Sequence, residues 1–201
     1  TGWEGEFAKW IATHRHPDIR CVVLQRRYIT GAPSDVLLGE IPEQVFAKRG
    51  DLLFSLALAN HQNTGFFLDM EPGRKWIEKV SADKTVLNLF SYTCAFSVVA
   101  IASGASSVVN VDMSRSALNT GRDNHRLNQL DPAKSRYLAE DILKSWGRIK
   151  RAGEYDVVVI DPPSYQKGSF IAEKDYGKVV RRLPELMPKG GNVLACLNAP
   201  E

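Results

Sequence analysis

The sequence predicts an α/β fold: a Rossmann-like, doubly wound, mainly parallel sheet preceded by a small strand-rich module. Three observations carry that prediction. The run Val157-Val158-Val159-Ile160 is continuously β-branched, the pattern of a strand buried on both faces inside a parallel sheet. From Val86 onward, strand-like runs alternate with helical segments at a spacing of roughly thirty residues, about one crossover unit. Several of these runs end in acids, at Asp112, Glu140-Asp141 and Asp161, and the carboxyl ends of strands are where ligands sit in open α/β sheets.

The elements follow in chain order. Trp3, Phe7, Trp10 and Ile11 fall on one face of a short amphipathic helix over Trp3–His14. Arg20–Tyr28 reads as a strand, Ile29–Asp35 as a turn-rich connection and Val36–Gly39 as a second strand. Val45–Phe54 reads as a hairpin turning near Arg49-Gly50-Asp51. In Gln62–Met70, Gly65 stands between polar residues and two aromatics. That stretch is either a backbone that approaches a ligand closely or a linker packed on the next domain. A helix over Lys75–Val80 leads into the second domain, so residues 1–74 form the module and 75–201 the Rossmann-like domain.

There, strands are expected at Val86–Phe90, Ser107–Asp112, Ser135–Leu138, Asp156–Ile160 and Asn192–Leu197. Helices are expected at Phe96–Ser103, stopped by Gly104, and at Ser114–Asn128, Ile142–Lys150 and Tyr176–Met187, the last interrupted at Pro184. Asp161-Pro162-Pro163-Ser164-Tyr165 closes the buried strand. Neither proline donates a ladder hydrogen bond, and the first keeps Asp161 out of helical geometry. The chain must leave the sheet stiffly, presenting the Asp161 carboxylate and the Tyr165 ring at the strand's carboxyl end.

Bulk properties narrow the classes. A length of 201 residues fits one Rossmann-sized domain with an N-terminal appendage. A hydrophobic share of 44% and a charged share of 24% are those of an ordinary globular protein. The net charge of +3 permits an anionic partner without demanding one. Cys21, Cys94 and Cys196 form no CxxC pair and the chain has four histidines, which speaks against a zinc site. No apolar run reaches the ~18 residues of a membrane span and no signal peptide opens the chain, so the expected compartment is the reducing cytoplasm. Starting at Thr1 and ending just after its last strand, the sequence reads as an excerpt from a longer protein.

The first βα turn, Ser91-Tyr92-Thr93-Cys94-Ala95, offers small residues against which a ligand can lie at a helix N-terminus. It lacks the glycines of the dinucleotide fingerprint, which weighs against a nicotinamide oxidoreductase. Asp112 follows roughly twenty residues later, where an acid pairs with ribose hydroxyls; capping of the next helix is the alternative. Glu140-Asp141 either accepts from an adenine amino group or caps a helix.

In this order the motifs resemble class I S-adenosylmethionine-dependent methyltransferases, most closely the bacterial large-subunit ribosomal RNA methyltransferases I and K/L. The likeness runs from about Gln62 to Asn198. Thr64-Gly65-Phe66-Phe67-Leu68-Asp69 looks like their TGxFLDQR motif, with Met70 in place of Gln. Phe90-Ser91-Tyr92-Thr93 looks like their cofactor loop, with Cys94 and Ala95 in place of glycines. Asp112-Met113-Ser114, Asn124-His125-Arg126-Leu127-Asn128 and Asp161-Pro162-Pro163 look like the motifs that follow.

The resemblance implies a role for each matching position. Ser91, Tyr92, Thr93 and Ala95 line the methionine part of S-adenosylmethionine. Asp112 holds the ribose with Ser114 beside it, Met113 covers the adenine, and Asp141 meets its amino group. Asp161 sits beside the transferring methyl, Pro162 and Tyr165 shape the acceptor pocket, and Thr64, Phe67 and Asp69 close the site. The class usually has seven strands, so the completing hairpin is expected beyond Glu201.

A sulfonium is an activated methyl donor, so alignment and desolvation suffice and no metal is needed. Cytosine-C5 methylation needs a cysteine nucleophile. The carbon-methylating relatives carry it where this chain has Asn198, while Cys196 lies two residues earlier on the same strand face. A base nitrogen of ribosomal RNA is therefore the expected acceptor. The alternatives are cytosine C5, DNA adenine, a protein amide, or an idle RNA-binding relative. Arg26-Arg27-Tyr28 mixes cations with an aromatic, as single-stranded RNA binders do. Lys144, Arg148, Lys150, Arg151, Lys167, Lys174, Lys178, Arg181 and Arg182 gather around the expected active edge, as an RNA-facing surface or as solvated helix faces.

Overall fold

A computed structural model describes residues 2–59 and 63–197. They fall into two compact units, Thr1–Ala47 with Ser55–Phe66, and Lys48–Phe54 with Phe67–Glu201.

In the first unit, helix α1 (Gly2–His14) buries Ile11 and leaves Trp3, Phe7 and Trp10 exposed. The amphipathic spacing therefore makes a helix whose aromatic stripe faces outward among the described residues. Strand β1 (Val22–Gln25) pairs antiparallel with β2 (Ser34–Leu38), setting Leu24 opposite Asp35. The Arg26 guanidinium reaches both carboxylate oxygens of Glu4 and also Asp35, and the Tyr28 hydroxyl donates to Glu4 at 2.6 Å. These donors hold the Glu4 carboxyl down at about 2. Strands β3 (Val45–Arg49) and β4 (Leu52–Leu56), of which Lys48–Phe54 is assigned to the second unit, form the expected hairpin, turning at Gly50 with φ +57°.

In the second unit, α2 (Glu71–Val80), β5 (Thr85–Leu89), α3 (Ala95–Ala102), β6 (Ser107–Asp112), α4 (Arg115–Leu127) and β7 (Ser135–Ala139) follow in turn. Then come α5 (Trp146–Ala152), β8 (Val157–Ile160), a short hairpin of β9 (Tyr165–Gln166) and β10 (Phe170–Ile171), α6 (Ala172–Val180), α7 (Leu183–Leu186) and β11 (Asn192–Ala195). The five-stranded sheet is parallel, in the order β11-β8-β5-β6-β7. The chain runs outward from β5 to β7, then crosses back to place β8 on the other side of β5. The loops after β5 and β8 therefore diverge, and the crevice between them is the switch point of a doubly wound sheet.

Alternation across the pleat assigns the faces. Leu87, Leu89, Val109, Val111, Val158 and Ile160 pack with Ile149, Val179 and Leu186 into one apolar cluster. The other face carries a polar chain under α3 and α4. Asn88 Nδ2 donates to Asn110 Oδ1 at 3.0 Å, and Asn110 Nδ2 donates to Ser97 Oγ at 3.0 Å. Ser97 Oγ lies 2.9 Å from His125 Nε2, and His125 Nδ1 lies 2.7 Å from the Gly121 carbonyl. A carbonyl only accepts, so Nδ1 carries the proton and the Ser97 hydroxyl donates to Nε2. Burial holds His125 in that neutral form by lowering its pKa.

Two helices are shorter than the periodicity predicts. The stretch from Ile142 opens as a 3-10 turn, Ile142–Lys144, before α5. The last helix starts earlier, at Ala172, and breaks at Arg181-Arg182, so that Pro184 sits in the first turn of α7, where its missing N–H costs nothing. The β9–β10 hairpin was not expected; two-residue strands are too short to show a period.

The glycine-poor turn after β5 has a visible cost. Phe90, Tyr92 and Cys94 all adopt positive φ, at 56°, 45° and 61°, each disfavoured by order 1 kcal/mol for a residue with a Cβ. The buried Cys94 side chain fits because α4 has a glycine opposite it. A Cβ at Gly121 would lie 2.4 Å from Cys94 Sγ. We predict that Gly121→Ala destabilises the fold by about 1–3 kcal/mol, although alanine is the better helix former by about 1 kcal/mol. Combining it with Cys94→Gly should restore most of the loss. Urea midpoints of both single variants and the double variant test this, and strictly additive effects would sink the coupling.

Candidate functional site

The strand tips at the switch point gather the expected site. From β6, the Asp112 carboxylate reaches across to the turn after β5. Its Oδ2 accepts from the Tyr92 N–H at 2.9 Å and its Oδ1 from the Ser114 N–H at 2.8 Å. The helix cap is a different residue, since Ser114 Oγ accepts from the Ala117 N–H at 3.2 Å. Asp112 thus braces the turn and does not cap α4. Burial raises its pKa while the two N–H donors oppose that rise. Each oxygen has a further lone pair for a ligand hydroxyl.

Around it, Ser91 and Thr93 are buried, Ala95 is half-buried, and Tyr92 packs its ring against Phe67 with centroids 5.8 Å apart. The Thr93 carbonyl accepts from Asn124 Nδ2 at 3.0 Å, tying the turn down to α4. Met113 stands at the tip, 40% exposed. Asp141 ends the third strand's loop and does cap: its Oδ1 accepts from the Leu143 N–H at 3.0 Å, and Lys144 Nζ lies 3.0 Å from its Oδ2. Capping and ligand contact are compatible there, because Oδ2 retains acceptor capacity.

At the end of β8, Asp161 is largely buried and Pro162 is buried. Burial, and then the charge of Asp69, push the Asp161 carboxyl up to about 6. Asp161 in turn opposes ionisation of two neighbours. The Cys196 thiol is pushed up to about 12 by burial and by that carboxylate, and Tyr176 on α6 is raised by burial, Cys196 and Asp161. Tyr165 lies on β9, 63% exposed, with its side chain open to solvent.

Three of the other expected residues belong to the first unit. There the Thr64 carbonyl accepts from the Ala57 N–H at 2.9 Å. Arg26 is committed to Glu4 and Asp35, and the exposed Arg27 donates to Gln25 Oε1 at 3.0 Å. Asn198 lies outside the described residues. Among the described residues no cluster of His, Cys, Asp and Glu is placed to hold a metal ion, and no helix is long and apolar enough to cross a membrane.

Two residues that the sequence reading passed over lie close to expected site residues. Tyr176 is one. The other is Arg74, 2% exposed, whose Nη2 donates to the Phe67 carbonyl at 2.8 Å and whose Nε donates to Glu71 at 3.2 Å. It clamps the segment that carries Phe67 and Asp69. An arginine three residues from the buried Ile77 on the same helix face is the signal that could have revealed it.

A profile of the S-adenosylmethionine-dependent methyltransferases matches residues 8–201. Ribosomal RNA large subunit methyltransferase I of Aeromonas salmonicida (strain A449) is 38% identical over 134 residues, covering 66% of this chain and 34% of that protein. Ribosomal RNA large subunit methyltransferase K/L of Colwellia psychrerythraea (strain 34H / ATCC BAA-681) is 31% identical over 182 residues, covering 88% of this chain and 25% of that protein. The chain thus spans 25–34% of these relatives. Among solved structures, SMU.776, described as a methyltransferase complexed with SAH, superposes with a TM-score of 0.86 at 31% identity, covering 98% of this chain and 52% of that one. The parallel sheet, the acidic strand tips and the match over residues 8–201 agree: the chain belongs to the S-adenosylmethionine-dependent methyltransferase family.

Proposed function

We propose that this chain binds S-adenosylmethionine at the switch point and methylates a base nitrogen of ribosomal RNA. The observation that carries the reading is the acidic crevice in which Asp112 is already oriented by two backbone N–H groups and Asp161 is largely buried beside Asp69. That donor set suits a cation bearing vicinal hydroxyls. The acceptor class follows the named relatives, which are ribosomal RNA methyltransferases.

Asp112 accepts from the ribose hydroxyls with its remaining lone pairs, and Ser114 keeps that carboxylate oriented. Ser91, Tyr92, Thr93 and Ala95 form the floor for the methionine part, Met113 covers the base and Asp141 Oδ2 accepts from its amino group. Phe67 and Asp69, held by Arg74, close the site, with Thr64 at the start of that motif. The ligand supplies a methyl group already activated on a sulfonium. Asp161 and the Pro162 carbonyl orient the acceptor amine, and Asp161, mostly ionised at neutral pH, accepts the proton the amine gives up. Tyr165 supplies an exposed ring for the acceptor base.

Cys196 argues for nitrogen over carbon. Carbon-5 chemistry on cytosine needs a thiolate, and a thiol at about 12 beside Asp161 stays protonated at neutral pH.

Two measurements test the reading. Calorimetric affinity for S-adenosylmethionine should fall several-fold as the pH drops from about 7.5 to about 5, because protonated Asp161 no longer attracts a sulfonium. Affinity for S-adenosylhomocysteine, with its neutral sulfur, should change less, and Asp161→Asn should remove the difference. The same pH dependence for both ligands would take Asp161 away from the sulfur. Asp112→Ala should weaken binding of both ligands by roughly 10–100-fold, whereas Asp161→Ala should chiefly slow transfer of labelled methyl to ribosomal RNA. Wild-type affinity in Asp112→Ala would refute the ribose assignment.

A further inference from the structure

A groove of about 470 Å³ runs between the start of α5 and the end of α6, lined by Leu143, Trp146, Lys178, Arg181, Arg182 and Glu185. It lies among the helices that pack on the apolar face of the sheet and begins two residues past Asp141. Three of its charged side chains are cations and one is an anion. The local carboxylates leave part of that positive charge uncompensated. Lys178 pairs with Asp175 at 2.6 Å, but Asp175 also accepts from the Ile171 N–H at 2.9 Å. Arg182 donates to Glu185 at 2.8 Å, and its guanidinium lies 5.9 Å from the Trp146 ring centroid. Arg181 is exposed and meets no carboxylate among the described residues.

We propose that this groove seats the backbone of the RNA strand whose base enters the site, with Arg181 and Lys178 on phosphates and Arg182, backed by Trp146, beside them. The inference rests on the RNA reading above and adds where the strand leaves the site. Three features favour a polyanion of this kind. A guanidinium fork matches phosphate oxygens bidentately. Arg182 is held over an indole face, so less conformational freedom is lost when it binds. The groove also adjoins Lys144, which pairs with Asp141 at 3.0 Å, so its cations reach the loop at the carboxyl end of β7.

The test is fluorescence anisotropy with a labelled single-stranded RNA over a salt series, using the 201-residue chain and its Lys178→Ala/Arg181→Ala variant. The positions are exposed, and unchanged S-adenosylmethionine affinity checks that the variant is folded. Affinity for RNA should fall tenfold or more at low salt. The slope of log affinity against log salt should flatten by about 1.4, two phosphates at about 0.7 each on a single strand. An unchanged slope and affinity would overturn the groove assignment while leaving the RNA reading intact. If polyglutamate competes as well as unlabelled RNA, the groove is a seat for an acidic protein segment and the assignment is again overturned. If the wild-type chain binds S-adenosylmethionine but no RNA, the acceptor reading itself fails.

Discussion

The site depends on one carboxylate that serves two loops. Asp112 accepts the Tyr92 N–H from the turn after β5 and the Ser114 N–H from its own loop. The first bond helps to hold a turn with left-handed Phe90, Tyr92 and Cys94. A glycine-rich loop would adopt this path freely; here the path is imposed by hydrogen bonds at both ends. The Ser91 N–H meets the Val111 carbonyl, the Cys94 N–H meets the Ser91 carbonyl, and Asn124 holds the Thr93 carbonyl from below. The residue proposed to bind the ligand is thus also the one that shapes the surface beneath it.

A second device lies under the sheet. A chain from Asn88 through Asn110 and Ser97 to His125 occupies ground that an apolar core would ordinarily fill. Each donor in it has one direction, fixed by the Gly121 carbonyl at its far end. The same carbonyl belongs to the residue that makes room for Cys94. The polar chain therefore fixes the register of α4 against the turn that carries the site. Such buried networks define one arrangement sharply when every member is satisfied; within this network Asn88 Oδ1 has no partner among the described residues.

Much of this was legible in the sequence. The β-branched run gave β8, the alternation gave the parallel sheet, and Asp112 and Asp161 fell at strand tips as their positions implied. What stayed hidden was coupling across distance. The room that Gly121 leaves for Cys94 joins residues on different elements, and glycine inside a helix reads only as a weak position. Arg74 looks like any surface arginine until burial turns it toward the Phe67 carbonyl. Asp112 could be read as a cap because capping and bracing use the same residue type in the same place. The aromatic face of α1 had the period of a buried stripe, yet burial depends on a partner surface, and a period cannot supply one.

Charge placement links the donor and the acceptor. The chain carries only a modest net charge of +3, and that charge is sorted by location. Asp69, Asp112, Asp141 and Asp161 lie at or around the strand tips, while Lys178, Arg181 and Arg182 line the flank. A methyltransferase acting on nucleic acid must hold a cation and a polyanion side by side. An acidic crevice alone would attract the sulfonium and repel the RNA, and a uniformly basic surface would do the reverse. Exposed charges are screened over roughly 10 Å at ordinary salt, so two regions of opposite sign can act independently across one sheet edge. Under the proposed function, loss of the methyl leaves the donor's sulfur neutral and ends the attraction of Asp161 for it, while phosphates seated on the flank are unaffected, so spent cofactor can leave while the RNA stays bound.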